Sequence, residues 1–268
     1  TGDIHGDIKG IINWMDLLKQ QYPVEQQYLV KKQNTETQKI ILLQLGDAGL
    51  NFCMDERDQK LKKELQDKID ELKTEGIYIQ ILFVRGNHEA RPGNLESGNL
   101  DRYIEKEVYD GRAYIENNPK GPAFPDLIFL KDGEIYSIPD GEERKDFLAI
   151  GGGRSLDFFE RFLKGMEDAG WWFDEELSDH EFEQILDMAG KIEEPVYVLS
   201  HMLPAGLAPE RENDEAAGEN RKARTELWLQ RIADTLGNHV VRWLAGHYHM
   251  EMKAERYEIV YKEIRKLK

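Results

Sequence analysis

The chain has 268 residues, 40% of them hydrophobic and 33% charged, with a formal net charge of −16. That length allows one large or two small domains around a substantial core. No apolar run approaches the roughly 20 residues needed to span a bilayer. The acidic charge is spread along the chain, which argues against stable nucleic-acid binding, since phosphate backbones are held by clustered Lys and Arg.

A single cysteine, Cys53, precludes an internal disulfide and makes a reducing, cytoplasmic setting the expectation. With no basic neighbour or paired motif, Cys53 reads as a small apolar filler. No basic segment followed by an apolar one stands at the start, so no signal peptide is expected.

Taken in chain order, Lys9 to Gln20 has helical spacing, with Ile11, Ile12, Met15 and Leu18 near one face. Lys39 to Leu45 is an aliphatic run that predicts a buried strand ending at Gly46-Asp47. Asp55 to Glu75 predicts a charged helix with Leu61, Leu65, Ile69 and Leu72 as its apolar stripe. Ile77 to Val84 is the next buried strand. Strand, helix, strand in this order suggests parallel pairing with helices on the faces. Asn117 to Pro125, rich in Pro and Gly, reads as a loop or series of turns. Short strands are expected at Leu127–Leu130, Glu134–Ile138 and Phe147–Ile150, the last running into Gly151-Gly152-Gly153-Arg154-Ser155. Phe158, Phe159, Phe162, Trp171 and Trp172 follow, with core packing favoured over a pocket wall. Further on come a helix over Asp179–Gly190, a strand over Val196–Ser200, a polar loop over Ala208–Arg224, a helix over Thr225–Leu236 and a strand over Val240–Ala245.

Metal-ligand residues recur where these strands end: Gly2-Asp3-Ile4-His5-Gly6, Leu45-Gly46-Asp47, Arg85-Gly86-Asn87-His88-Glu89, Ser200-His201 and Gly246-His247-Tyr248-His249. A strand is expected ahead of Asp3, as strands precede the other clusters. Asp and His together suit Mn²⁺, Fe and Zn²⁺. Two such ions clamp both oxygens of an in-line displacement, and one carboxylate can bridge them.

In order and in content these five clusters resemble the motifs of the calcineurin-like metallophosphoesterases. Residues 85–89 and 2–6 are most similar to the serine/threonine phosphoprotein phosphatase branch. The resemblance implies an α/β fold, a four-layer α/β/β/α sandwich with two mixed sheets, built as a single domain over 1–268 with an insert or cap near 100–195. It also implies a phosphoesterase that uses two divalent ions, Mn²⁺ foremost, and a hydroxide bridging them. Asp3, His5 and His249 would hold one ion, Asn87, His201 and His247 the other, with Asp47 between. His88 would act on the leaving group as a general acid.

The chain departs from that branch after Asp47. Leu50 stands where an Asp would pair with the catalytic histidine, and Asn51 stands where an Arg would bind phosphate. Asn51, Arg91 and Arg154 are therefore the candidate substrate contacts. The Gly151–Gly153 run is either an anion-binding turn or a tight bend. Arg85 reads as a structural ion-pair partner. The substrate expected is a phosphomonoester, either a phosphoprotein, a nucleotide or a small phosphorylated metabolite. A phosphodiester, or a non-catalytic protein-binding scaffold of the same fold, is the alternative.

Overall fold

The computed structural model describes residues 1–21, 39–94, 102–118, 121–155, 172–209 and 222–267. Phe158, Phe159, Phe162, Trp171 and most of the loop expected over 208–224 lie outside these residues.

Helix α1 (Lys9–Gln21) is followed by β1 (Lys39–Leu45), α2 (Glu56–Thr74) and β2 (Tyr78–Val84). Five strands come next: β3 (Tyr103–Val108), β4 (Gly111–Asn118), β5 (Gly121–Pro122), β6 (Leu127–Leu130) and β7 (Ile135–Asp140). The chain continues through β8 (Glu143–Ile150), α3 (Asp179–Ala189), β9 (Val196–Ser200), α4 (Arg224–Leu236), β10 (Val240–Ala245), β11 (Met252–Ala254) and β12 (Tyr257–Ile259).

The first sheet runs β1-β2-β6-β4-β3, with β5 paired to the end of β4. Strands β1, β2 and β6 are parallel, while β4 and β3 return antiparallel. The second sheet runs β11-β12-β10-β9-β8-β7, with its four central strands parallel and both edges antiparallel.

Two-residue alternation divides the strand side chains between cores. Leu82, Val84, Leu130, Phe147, Leu199 and Leu244 point between the sheets. On the other face of the first sheet, Ile79, Ile81, Phe83 and Phe129 meet α1 and α2 through Ile11, Met15, Leu65, Ile69 and Leu72. The outer face of the second sheet offers Leu148, Val198, Trp243 and Ile259 to Phe182 and Ile185 of α3 and to Leu229 and Ile232 of α4. The layers are therefore α/β/β/α, the expected sandwich.

Helix α2 forms because its Leu65, Ile69 and Leu72 recur on one face and Asp55 caps its start by accepting from the Arg57 N–H. All three leucine and isoleucine side chains are buried, so Leu65→Ala would cost about 2–5 kcal/mol. The same helix carries Lys62 into the interior, where it bonds Glu116 of β4 at 2.6 Å and the Tyr103 hydroxyl at 2.8 Å.

Among the described residues of 100–195, β3, β4 and β6 complete the first sheet and β7 and β8 the second. One expectation changes: Asn117 and Asn118 are not loop but the end of β4, paired to Pro122 and Gly121. Ahead of Asp3, Thr1 bonds β1 directly, its nitrogen donating to Leu43 and its carbonyl accepting from Leu45. Gly2 donates to Tyr261 on the other side, and Asp3 to Gly46. The segment thus lies where the two sheets meet, as a strand there would.

Candidate metal centre

The parallel strands β1, β2, β8, β9 and β10 all end on the same side, which is where open α/β sheets place their ligands. Each strand stops in a sharp turn. Asp3, His5, Asp47, His247 and His249 all have left-handed backbone, with φ of 36°, 45°, 53°, 68° and 51°. Such conformations cost non-glycine residues about 1–3 kcal/mol each and gather at functional sites. Among the described residues only four other non-glycine positions share them. Gly46 and Gly86 are required by space. A Cβ on Gly46 would run into the His201 ring, and one on Gly86 into the Asp47 carboxylate.

The side chains meet in two groups. In the first, His5 Nε2 lies 3.1 Å from His249 Nε2, and Asp3 Oδ1 lies 3.6 Å from the same His249 nitrogen. In the second, Asn87 Oδ1 is 2.8 Å from His201 Nε2 and 3.1 Å from His247 Nδ1, and those two nitrogens are 3.3 Å apart. Asp47 lies between, its Oδ2 3.5 Å from His201 and 3.9 Å from His5. Asp3 also reaches His201, at 4.0 Å. All seven residues expected as ligands are brought together.

Several of them are held by further contacts. His201 Nδ1 faces the Leu45 carbonyl at 2.8 Å, so Nδ1 donates and Nε2 is left to ligate. Asp3 Oδ2 accepts from the His247 N–H, and Asp47 Oδ1 from the His88 N–H. The His249 ring stacks on Tyr261 at 5.3 Å. Between the two His-x-His histidines, the Tyr248 hydroxyl donates to Glu226 and accepts from the Leu203 N–H.

Burial alone would raise Asp47, but His201 beside it holds the carboxyl well below the usual carboxylate range. Burial likewise disfavours the His201 imidazolium, yet Asp47 and Asp3 outweigh it and push His201 up to about 9. A divalent cation held there has to displace that proton. Burial lowers His5, while the nearby Asp3 carboxylate raises His249. Glu89, pushed up to about 7 by burial, accepts from the Gly49 and Gly86 N–H groups and ties two of the strand-end turns together.

This donor set fits divalent ions. Asp3, His5 and His249 converge as one carboxylate–imidazole group, and Asp3, Asp47 and His201 as another. Two ligands at roughly 2.0–2.2 Å from one ion lie about 3.0–3.5 Å apart, which matches the His5–His249 and His201–His247 separations. Asp3 Oδ1 is buried and has no hydrogen-bond partner. An orphaned carboxylate oxygen costs stability unless a cation answers it.

The sequence profile of the family described as calcineurin-like phosphoesterase matches residues 1–251. The chain belongs to that family. Calcineurin-like phosphoesterases are metal-dependent hydrolases that generally use two divalent ions, and the two groups of ligands suit that chemistry. None of the curated proteins matches the chain.

The remaining expected site residues divide. His88 lies beside the ligands, its ring 5.6 Å from His5 and 5.8 Å from Phe52. Arg154 is exposed directly after Gly153, where an added Cβ would meet Met202 and His201. Arg91 is corrected: it is buried, pairs with Glu181 at 2.5 Å and donates to the Asp174 and Glu176 carbonyls. Asn51 is corrected as well, being buried with its Oδ1 accepting from the Tyr103 hydroxyl at 2.7 Å. Both brace the site loops from behind.

Arg85 is the expected structural cation, near Asp132 and donating to the Glu175 carbonyl. The Gly151–Gly153 run is a bend, since its three N–H groups go to Asp132, Arg85 and Glu175 and none is left for an anion. The third acid–thiol group, Cys53, Asp55 and Asp58, is a helix-start network in which Asp58 accepts from the Cys53 and Met54 N–H groups. Trp172 packs on the first helical core.

Two residues escaped the sequence reading. Ser155 and Glu175 stand directly behind Asn87. The only signal for Ser155 was its place at a strand end like those of the ligand motifs. Nothing in the sequence marked Glu175.

Proposed function

We propose that the chain is a two-metal phosphomonoesterase acting on a phosphoprotein, a nucleotide or a small phosphorylated metabolite. The observation that carries this reading is the meeting of two ligand groups across Asp47, with the buried Asp3 Oδ1 aimed between them. Asp3, His5 and His249 would hold one ion, Asn87, His201 and His247 the other, and Asp47 both. When bound, divalent ions supply Lewis-acid chemistry: they make hydroxide available near neutral pH and polarise phosphoryl oxygens. Mn²⁺ leads the candidates because the set mixes hard oxygen donors with imidazole, with Fe and Zn²⁺ behind it.

His88 stands outside the ligand groups and next to His5, where its imidazole can hand a proton to the departing alkoxide. Phe52 flanks both rings. Arg154 gives the exposed rim a guanidinium able to bind two phosphate oxygens. The match over residues 85–89 supports the phosphoprotein phosphatase-like branch and hence monoesters, and Leu50 and Asn51 set the substrate apart from that branch's usual one. Among the described residues no helix is long and apolar enough to cross a membrane, and with one cysteine we place the protein in the cytoplasm.

The test compares p-nitrophenyl phosphate with bis(p-nitrophenyl) phosphate, using protein loaded in turn with Mn²⁺, Fe²⁺, Co²⁺ and Zn²⁺. Faster monoester turnover is expected. A diester preference would reassign the substrate, and no turnover with any ion would favour a binding scaffold.

A further inference from the structure

Asn87 poses a problem of polarity. Its amide has two ends of nearly equal shape, one an acceptor and one a double donor. Oδ1 faces His201 Nε2 and His247 Nδ1, and Nδ2 faces the Ser155 hydroxyl at 2.8 Å. A flipped amide would aim two N–H donors at the place proposed for a cation. A hydroxyl does not by itself prevent this, because it can donate or accept.

Glu175 removes that freedom. Its Oε2 lies 2.6 Å from the Ser155 Oγ, and its Oε1 accepts from the Ser155 N–H at 2.9 Å. An ionised carboxylate only accepts. The Ser155 proton therefore points to Glu175, and its oxygen is left to accept from the Asn87 NH₂. Asn87, Ser155 and Glu175 are all buried, at 1%, 3% and 1% exposure, so water does not offer the amide an alternative partner. The backbone locks the relay in place: the Glu175 carbonyl accepts from Gly153 and from Arg85.

We propose that Ser155 and Glu175 are positioning residues that fix the direction of the Asn87 amide and so present its oxygen as a ligand to one of the two ions. This rests on the two-ion reading above. Glu175→Gln keeps the shape and reverses the message. The Ser155 N–H still needs an acceptor, so the Gln oxygen takes the Oε1 place and its NH₂ faces Oγ. The hydroxyl then turns toward Asn87 and favours the flipped amide. Ser155→Ala removes the link altogether.

Chelator-stripped wild type, Glu175→Gln and Ser155→Ala would be titrated with Co²⁺ by ligand-field absorption and with Mn²⁺ by calorimetry. Working at pH 8 keeps Glu175 ionised above the value of about 7 to which burial pushes it. The expected result is a loss of about 10–100-fold in affinity at one of two sites, the usual size for a partner behind a ligand, with the other site within twofold. A general loss of structure would instead weaken both sites and lower the melting temperature of the stripped protein.

A second readout needs no metal. In protein labelled with ¹⁵N-asparagine, the Asn87 side-chain amide, assigned by its loss in Asn87→Asp, should be protected from exchange in wild type. In Glu175→Gln it should shift and lose protection. An unchanged amide signal, or equal affinities at both sites in all three proteins, would overturn the relay. Wild type that binds fewer than two ions would instead overturn the two-ion reading, and the amide signal would still decide the relay.

Discussion

The two halves of the metal centre are built differently. The His201 side chain has no exposed surface and Asn87 has 1%, whereas His5 and His249 keep 34% and 53% of their side-chain surface exposed. The buried half is propped from behind by the Leu45 carbonyl and by Ser155 with Glu175. The exposed half relies on strained turns, on Asp3 and on the Tyr261 ring. A pre-organised half holds its ion without further ordering, while an open half leaves room for substrate. Asp47 stands between the halves, near His201 and His5, and Asp3 also reaches from His249 to His201.

The largest effect should come from breaking that shared member. Asp47→Ala is expected to lower kcat/KM at least about 10⁴-fold, or about 5.5 kcal/mol. Metal analysis should find less than one ion per chain; two retained ions would separate Asp47 from the centre. Next comes His88→Ala, expected to reduce kcat about 10²–10⁴-fold with metal content intact. Loss of metal in that variant would make His88 a ligand.

Two arginines sharpen the contrast between rim and support. Arg154→Ala should raise KM about 10–100-fold, the size of a hydrogen bond to a charged group. Arg91→Ala should act on stability instead, because it leaves Glu181 and the Asp174 and Glu176 carbonyls without their cation. Losing bonds from a charged group costs about 1.5–3 kcal/mol, read from denaturant unfolding. The smallest effect is expected from Tyr261→Leu. Losing the stack on His249 should weaken metal binding at the exposed half by about 2–10-fold, from about 0.5–1.5 kcal/mol, and leave the buried half as it was.

The same division governs what the sequence revealed. Strands β1, β6, β9 and β10 have the bounds their aliphatic runs predict, because each ends in a continuous buried stretch and the signal is local. Strands β3 and β4 were not anticipated. Tyr103–Val108 reads YIEKEV with an exposed middle, and its pairing with Gly111–Asn118 is fixed only by partners distant in the chain. The ligands were legible for a related reason. Asp3, His5, Asp47, Asn87 and His247 each adjoin a glycine, so chemistry and conformation share one short motif.

The supports were not legible. Arg91 and Arg154 look alike in the sequence. What separates them is Glu181, ninety residues away, which draws Arg91 inward. Asn51 reads as a substituted phosphate contact until Tyr103 is seen to hold its oxygen. Glu175 has no motif at all, and its place depends on the Gly151–Gly153 bend bringing residues 153–155 against it.

The most direct test of the unequal two-ion centre is equilibrium titration of chelator-stripped protein with Mn²⁺. Wild type should take up two ions in two distinguishable steps. His249→Ala should remove the weaker step alone, and His201→Ala the tighter. Uptake of one ion or none, or loss of the tight step in His249→Ala, would contradict the account.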